Sequence, residues 1–115
     1  DCAVIDGGGG STELAWDGGR KRVSAPVGAL VLTERYLPGG GEEAWPDTAW
    51  AAARHEVESA LGDALRARPD APGAGLVVAL GGSAANLASL EADFVRFDPA
   101  ATEGLEVRAT GALAW

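Results

Sequence analysis

A chain of 115 residues, 47% of them hydrophobic, is long enough to bury one core and too apolar to be intrinsically disordered. The formal net charge of −8 argues against nonspecific nucleic-acid binding, and no apolar run is long enough to span a membrane, so we expect neither partner. The single cysteine, Cys2, excludes an internal disulfide, and with no secretory leader in view we expect a cytoplasmic protein.

Both ends of the sequence predict that the chain is a fragment of a longer protein. The sequence begins at Asp1, contains no methionine, and enters a strand-like segment at once. Residues 113–115 are apolar, whereas natural termini are more often polar and loosely held. We therefore expect residues 1–115 to form a single partial domain whose upstream lobe is absent.

The first half of the chain predicts three strands, at residues 2–5, 12–16 and 22–32. Residues 7–10 are all glycine and predict a tight turn after the first strand. The sequence Asp17-Gly18-Gly19 is a strong hairpin signal between the second and third strands. Pro26 and Gly28 are expected to bend the third strand.

The second half predicts a helix, a buried strand and a short helix, at residues 45–68, 76–80 and 84–90. Pro46 suits the first helical turn, and the apolar residues of this helix fall on one face. A meander of three strands joined by a crossover helix to a further strand predicts an α/β, ribonuclease H-like half-domain. The stretch after Asp93 is ambiguous, with a further helix from Thr102 as one interpretation.

The strongest signal for chemistry is the sequence Asp-Gly-Gly-Gly-Gly-Ser-Thr-Glu at residues 6–13. Successive glycines allow backbone N–H groups to form a concavity that binds anions, and Ser11 and Thr12 add hydroxyl groups. Asp6 and Glu13 flank the turn, where they are suited to hold a divalent cation against phosphate oxygens.

Other interpretations of this motif are weaker. It is not a P-loop, because no Gly-Lys-Ser/Thr follows, and it is not a dinucleotide fingerprint, because the turn leads into a strand. A plain hairpin connection with incidental carboxylates remains open, although four consecutive glycines are entropically costly for a simple turn.

Residues 4–14 closely resemble the second phosphate loop of the exopolyphosphatase and guanosine pentaphosphate phosphohydrolase (Ppx/GppA phosphatase) family. That family belongs to the actin-like ATPase superfamily of sugar kinases and heat-shock ATPases. The resemblance continues in residues 24–28, 32–37, 81–83 and 86–88. It departs from the family at Gly7, where an aliphatic residue is usual, and at Ser83, where a threonine is usual.

The resemblance implies a hydrolase that uses Mg²⁺, or another divalent cation, to cleave terminal phosphoanhydrides of inorganic polyphosphate or guanosine pentaphosphate. It implies catalytic and metal-binding roles for Asp6 and Glu13. Phosphate binding is implied for Gly8, Gly9, Gly10, Ser11 and Thr12, with a second glycine turn at Gly81, Gly82 and Ser83.

The family's first phosphate loop and its water-activating glutamate lie upstream of this motif. We therefore expect the isolated chain to be inactive. We expect its partner to be the missing upstream lobe of the same protein. Exposed apolar surface near residues 8–11 and Trp115 predicts weak association, including a possible homodimer.

Two alternative functions stay open at the level of sequence. One is a kinase or ATPase half-domain of the same superfamily, and the other is a non-catalytic sensor of a phosphorylated nucleotide. Less specific residues receive structural interpretations: His55 as a solvated side chain, the tryptophans as core or interface anchors, and Glu34-Arg35 as either a positioning pair or a local ion pair.

Overall fold

The structure of the chain is a computed structural model that describes residues 2–36, 45–71 and 75–107. Within these residues lie four strands: β1 (Cys2–Gly7), β2 (Thr12–Trp16), β3 (Lys21–Ala25) and β4 (Leu76–Leu80). The same residues form four helices: α1 (Ala29–Tyr36), α2 (Asp47–Arg66), α3 (Gly82–Glu91) and α4 (Pro99–Thr102). Trp115, which the sequence suggested as an anchor, lies outside the described residues.

The strands form one mixed sheet in the order β3-β2-β1-β4. β1 pairs antiparallel with β2 and parallel with β4, which the chain reaches after passing through α2. The predicted meander with a crossover to a further strand is therefore confirmed. Across the described part of the chain, no helix combines the length and the apolarity needed to cross a membrane.

The β2–β3 hairpin follows directly from its turn residues. Asp17, Gly18 and Gly19 have φ values of 54°, 62° and 82°, the left-handed region that glycine adopts without a steric penalty. The hairpin brings Trp16 into the core, where 5% of its surface stays exposed, and the Arg68 guanidinium lies 5.1 Å from the ring centroid. The predicted hairpin is confirmed.

The third strand ends earlier than the sequence predicts. Residues 22–32 were expected to be one bent strand, but β3 ends at Ala25 and α1 begins at Ala29. Pro26 has no N–H group to continue a ladder. The backbone N–H groups at the start of α1 instead donate to carbonyl oxygens of the glycine turn, which a local hydrophobic pattern does not reveal.

The long helix is confirmed with slightly different limits. Pro46 precedes it as the N-cap residue, with extended backbone at φ −64° and ψ 147°, and α2 itself spans Asp47–Arg66. Ala53 is buried, whereas Trp50, placed on the same predicted apolar face, is 58% exposed and packs against Trp45 with ring centroids 4.5 Å apart. After α4 ends at Thr102, residues 103–107 are not helical, so the interpretation of a helix starting at Thr102 is wrong for these residues.

Side chains at the end of α1 fasten it to α2. The hydroxyl of Tyr36 donates to Glu56 Oε2 at 2.6 Å, and Arg35 Nη1 forms an ion pair with Glu56 Oε1. Of the two interpretations of Glu34-Arg35, the local ion pair is not observed among the described residues, and Arg35 instead makes a contact between helices. The Tyr36 hydroxyl first, and then Arg35, lower the pKa of the Glu56 carboxyl below its ordinary value of 4.5.

We expect Glu56→Gln to destabilise the chain near neutral pH and to have little effect in acid. A carboxyl group with a lowered folded-state pKa stabilises the fold above its unfolded pKa, and that stability is lost as pH falls through the folded pKa. Melting temperatures of wild type and Glu56→Gln should therefore converge only as pH falls through the folded-state pKa of Glu56, which lies below 4.5. Circular dichroism melts across the acid range measure this, with Glu58→Gln on the same helix as the control. A constant difference between Glu56→Gln and wild type at all pH values would contradict the assigned role.

The fourth strand is exposed, although the sequence predicts a buried one. All five residues of β4 are solvent-exposed, with 63% of Leu76 and 53% of Val77 accessible. Among the described residues, β4 is an edge strand whose hydrogen-bonded neighbour lies on the β1 side. An apolar strand is normally covered by further structure, and the described residues do not supply that cover.

We expect the chain to self-associate through β4. The strand is apolar, uncharged and free of proline, which are the features that leave an edge open to pairing with another copy. Val77→Lys should reduce the association because a lysine on an edge strand opposes pairing. The control is Val95→Lys, since Val95 is 99% exposed outside the sheet. Light scattering over a concentration series measures the effect, and a monomer at every concentration would contradict it.

Candidate functional site

Asp6 lies where the two glycine turns predicted from the sequence come together. It stands opposite Glu13 in the antiparallel ladder and opposite Leu80 in the parallel one. Residues directly opposite in a ladder extend to the same face of the sheet, so the two carboxylates share a face. A Cβ placed on Gly81, whose φ is 89°, would lie 2.8 Å from Asp6 Oδ1. The second glycine turn therefore directly contacts the Asp6 carboxylate.

The first glycine turn is held from behind by helix α1. The N–H groups of Ala29 and Leu30 donate to the carbonyl oxygens of Gly8 and Gly9, at 3.0 and 2.9 Å. In a trans peptide the C=O and the following N–H point in opposite directions, so the N–H groups of Gly9 and Gly10 point away from α1. Among the described residues these two N–H groups find no hydrogen-bond acceptor. They are free to bind an anion.

Gly28 makes this arrangement sterically possible. It is buried, and a Cβ on it would lie 2.5 Å from the carbonyl carbon and oxygen of Gly9. The turn is closed on its other side by the N–H of Gly8, which donates to the carbonyl of Ser11 at 2.9 Å. The backbone of the turn is thus fixed both internally and by its contact with α1.

Glu13 is the carboxylate with the most partners in the turn. Its Oε1 accepts hydrogen bonds from Ser11 Oγ at 2.5 Å and from Ser24 Oγ at 2.8 Å. These hydroxyl groups, Ser11 first and Ser24 second, lower the pKa of the Glu13 carboxyl below its ordinary value of 4.5. Among the described residues, Glu13 makes no ion pair with Arg20 or Arg22.

The other predicted site residues have different surroundings. The hydroxyl of Thr12 donates to the carbonyl oxygen of Val27 at 2.7 Å, which fastens β2 to the segment before α1. Gly82 and Ser83 form the first turn of α3, where backbone N–H groups have no partner within the helix. Their roles in phosphate binding stay predictions.

Asp6 and Glu13 form a pair of carboxylates rather than a complete metal cage. The described residues contain no group of three or more His, Cys, Asp or Glu side chains arranged to hold a metal ion. Mg²⁺ is commonly held by only one or two protein carboxylates, with water and substrate phosphates completing its shell. Two carboxylates on one face of the sheet are therefore consistent in number with a Mg²⁺ site. Binding of Mg²⁺ by Asp6 and Glu13 stays a prediction.

Sequence reasoning assigned no role to Ser24, although the hairpin turn contains the information needed to place it. The turn pairs Trp16 with Lys21, and an antiparallel register is constant along two strands. Counting back from this pair places Ser24 opposite Glu13, as observed.

The chain is similar to solved structures of phosphatases. The Aquifex aeolicus PPX-GPPA enzyme matches 86% of the chain at 28% sequence identity, with a TM-score of 0.65. An exopolyphosphatase-like protein matches 80% of it at 27% identity, with a TM-score of 0.68. The chain spans only 31% and 29% of these two proteins. No family model and no curated protein matches the chain. The predicted actin-like ATPase fold class is confirmed by these similarities.

Proposed function

We propose that the chain, which is similar in fold and in sequence to solved Ppx/GppA phosphatases, is the phosphate-binding part of a phosphohydrolase. The proposed reaction is attack of water on a terminal phosphoanhydride of inorganic polyphosphate or guanosine pentaphosphate. The base that activates the water is assigned to the upstream lobe. The observation that carries the proposal is the glycine turn beside two carboxylates, where two N–H groups point away from α1 and have no acceptor in the described part of the chain.

The residues of the turn have separate roles in this proposal. The N–H groups of Gly9 and Gly10 donate to phosphoryl oxygens, where fixed donors stabilise the charge of the transition state. Asp6 and Glu13 would repel a phosphate, and the chain carries a net charge of −8. Mg²⁺ held by these two carboxylates would offset that repulsion and polarise the phosphoryl group.

Binding of tripolyphosphate to the 115-residue chain, measured by calorimetry with and without Mg²⁺, tests the proposal. The variant Gly10→Pro removes one outward N–H group, whereas Gly10→Ala keeps it and meets no described atom within 4 Å of its Cβ. Wild type and Gly10→Ala should bind alike, and Gly10→Pro about tenfold more weakly, as expected for one charge-assisted hydrogen bond. Melting temperatures establish that both variants are folded. Absence of saturable binding by wild type, or unchanged binding by folded Gly10→Pro, would refute the proposal.

We expect the 115-residue chain to release no phosphate above background. Phosphoryl transfer depends on groups positioned around the whole phosphoryl group, and the chain spans less than a third of the similar enzymes. The measurement is phosphate release from polyphosphate and from guanosine pentaphosphate in the presence of Mg²⁺. Turnover of either substrate by the purified chain would show that the upstream lobe is not required.

A further inference from the structure

Two hydroxyl groups converge on a single oxygen atom of Glu13, from different parts of the fold. Ser11 belongs to the glycine turn and donates to Oε1 over 2.5 Å. Ser24 lies on β3, directly opposite Glu13 in the antiparallel register, and donates to the same atom over 2.8 Å. The two donors therefore hold the carboxylate from the turn and from the sheet.

The two donors differ in what else they can bind. Ser11 directly follows Gly9 and Gly10, whose N–H groups are proposed to donate to an anion, so its hydroxyl is within the motif expected to hold phosphate. A hydroxyl group has one proton to donate, and in this structure Ser11 uses it on Glu13. Donation by Ser11 to a phosphate oxygen therefore requires that Glu13 give up this hydrogen bond.

The position of Ser24 does not depend on the glycine turn. It is part of the β2–β3 ladder, and its backbone does not belong to the glycine turn. With Ser24 present, Glu13 keeps one hydroxyl donor after losing Ser11. Without Ser24, Ser11 is the remaining hydroxyl donor to Glu13 in the structure, and phosphate must compete for it.

We propose that Ser24 is a positioning residue of the phosphate site. Ser24 holds the Glu13 carboxylate, so that the Ser11 hydroxyl can donate to a phosphate oxygen instead. This inference rests on the proposed function. It predicts that Ser24 affects anion affinity without contacting the anion. It also predicts that the effect of Ser24 depends on the presence of the Ser11 hydroxyl.

The test compares Ser24→Thr with Ser24→Val in the 115-residue chain. The two side chains are both β-branched and similar in shape, and they differ in the hydroxyl group. With tripolyphosphate and Mg²⁺ as the probe, Ser24→Thr should bind within about twofold of wild type. Ser24→Val should bind about five- to tenfold more weakly, the size expected for one hydrogen bond. Melting temperatures of both variants establish folding, and Ser24→Ala replaces Ser24→Val if the latter unfolds.

A double-mutant cycle separates positioning from a general structural role. In a Ser11→Ala background, loss of the Ser24 hydroxyl should weaken binding much less than in wild type, because no Ser11 hydroxyl remains to be released. A merely structural Ser24 would weaken binding equally in both backgrounds, which would overturn the inference. Equal affinities of Ser24→Thr and Ser24→Val would also overturn it. If wild type does not bind tripolyphosphate, the proposed function fails, and the role of Ser24 fails with it.

Discussion

Replacing Gly28 with alanine is expected to displace the glycine turn and abolish anion binding. The added Cβ would lie 2.5 Å from the carbonyl carbon and oxygen of Gly9 and 2.6 Å from the carbonyl oxygen of Gly8. These are backbone atoms and cannot rotate away as the end of a flexible side chain does. Either the turn or α1 must shift, which breaks the hydrogen bonds donated by Ala29 and Leu30. Overpacking of this kind costs about 1–3 kcal/mol of unfolding free energy.

Urea denaturation of the 115-residue chain measures the stability loss, and calorimetry with tripolyphosphate measures the loss of binding. Gly7→Ala is the matched control, because a Cβ there meets no described atom within 4 Å and the residue lies in β1. Alanine at this strand position should leave stability unchanged or raise it by up to about 1 kcal/mol. A Gly28→Ala protein with the urea midpoint and affinity of wild type would show that the turn does not depend on its contact with α1.

The second large effect is expected from Glu13→Gln in a full-length protein that carries this sequence and has the proposed activity. Glutamine keeps an acceptor oxygen for Ser11 and Ser24, so the fold should remain intact. It removes the negative charge that is proposed to hold Mg²⁺ beside the phosphate. We expect kcat to fall at least about tenfold and the Mg²⁺ requirement to rise.

Measurements of kcat against Mg²⁺ concentration and of the melting temperature, both on the same variant, separate the two possible roles of Glu13. If Glu13 only fastens the turn through Ser11 and Ser24, the fold persists with a lower melting temperature, because an amide oxygen accepts weaker hydrogen bonds than a carboxylate, and turnover does not change. That result would remove Glu13 from the proposed chemistry. A catalytic role for Asp6 would then have to be tested separately.

The parts of the fold that depend on neighbouring residues were predictable from the sequence. Strands β1 and β2, the glycine turn between them and the hairpin at Asp17–Gly19 all follow from short apolar runs and glycine positions. The proximity of Asp6 and Glu13 follows in turn, because both residues flank one short connection between paired strands. This is why half of the candidate site was predictable from local patterns alone.

The parts that depend on distant contacts were not predictable. Helix α1 starts where its N–H groups reach the carbonyls of Gly8 and Gly9, and the ion pair of Arg35 joins residues on two helices. The apolar sequence of β4 predicts a buried strand, but all five of its residues are exposed. An apolar composition shows that a strand is suited to burial and does not show which neighbours cover it. The hydrophobic pattern of a segment thus fixes its type more reliably than its surroundings.

The position of β1 in the sheet has a consequence for the order of folding. β1 is an inner strand, and its two neighbours come from very different distances along the chain. Glu13 and the rest of β2 follow β1 after a short turn, whereas Leu76, the partner of Cys2, arrives only after all of α2. Closing such a long loop costs more chain entropy than closing a hairpin and slows the formation of the contacts it brings together. We therefore expect the three-stranded meander to form before β4 docks, and the edge of the site that contains Gly81 to form with that docking.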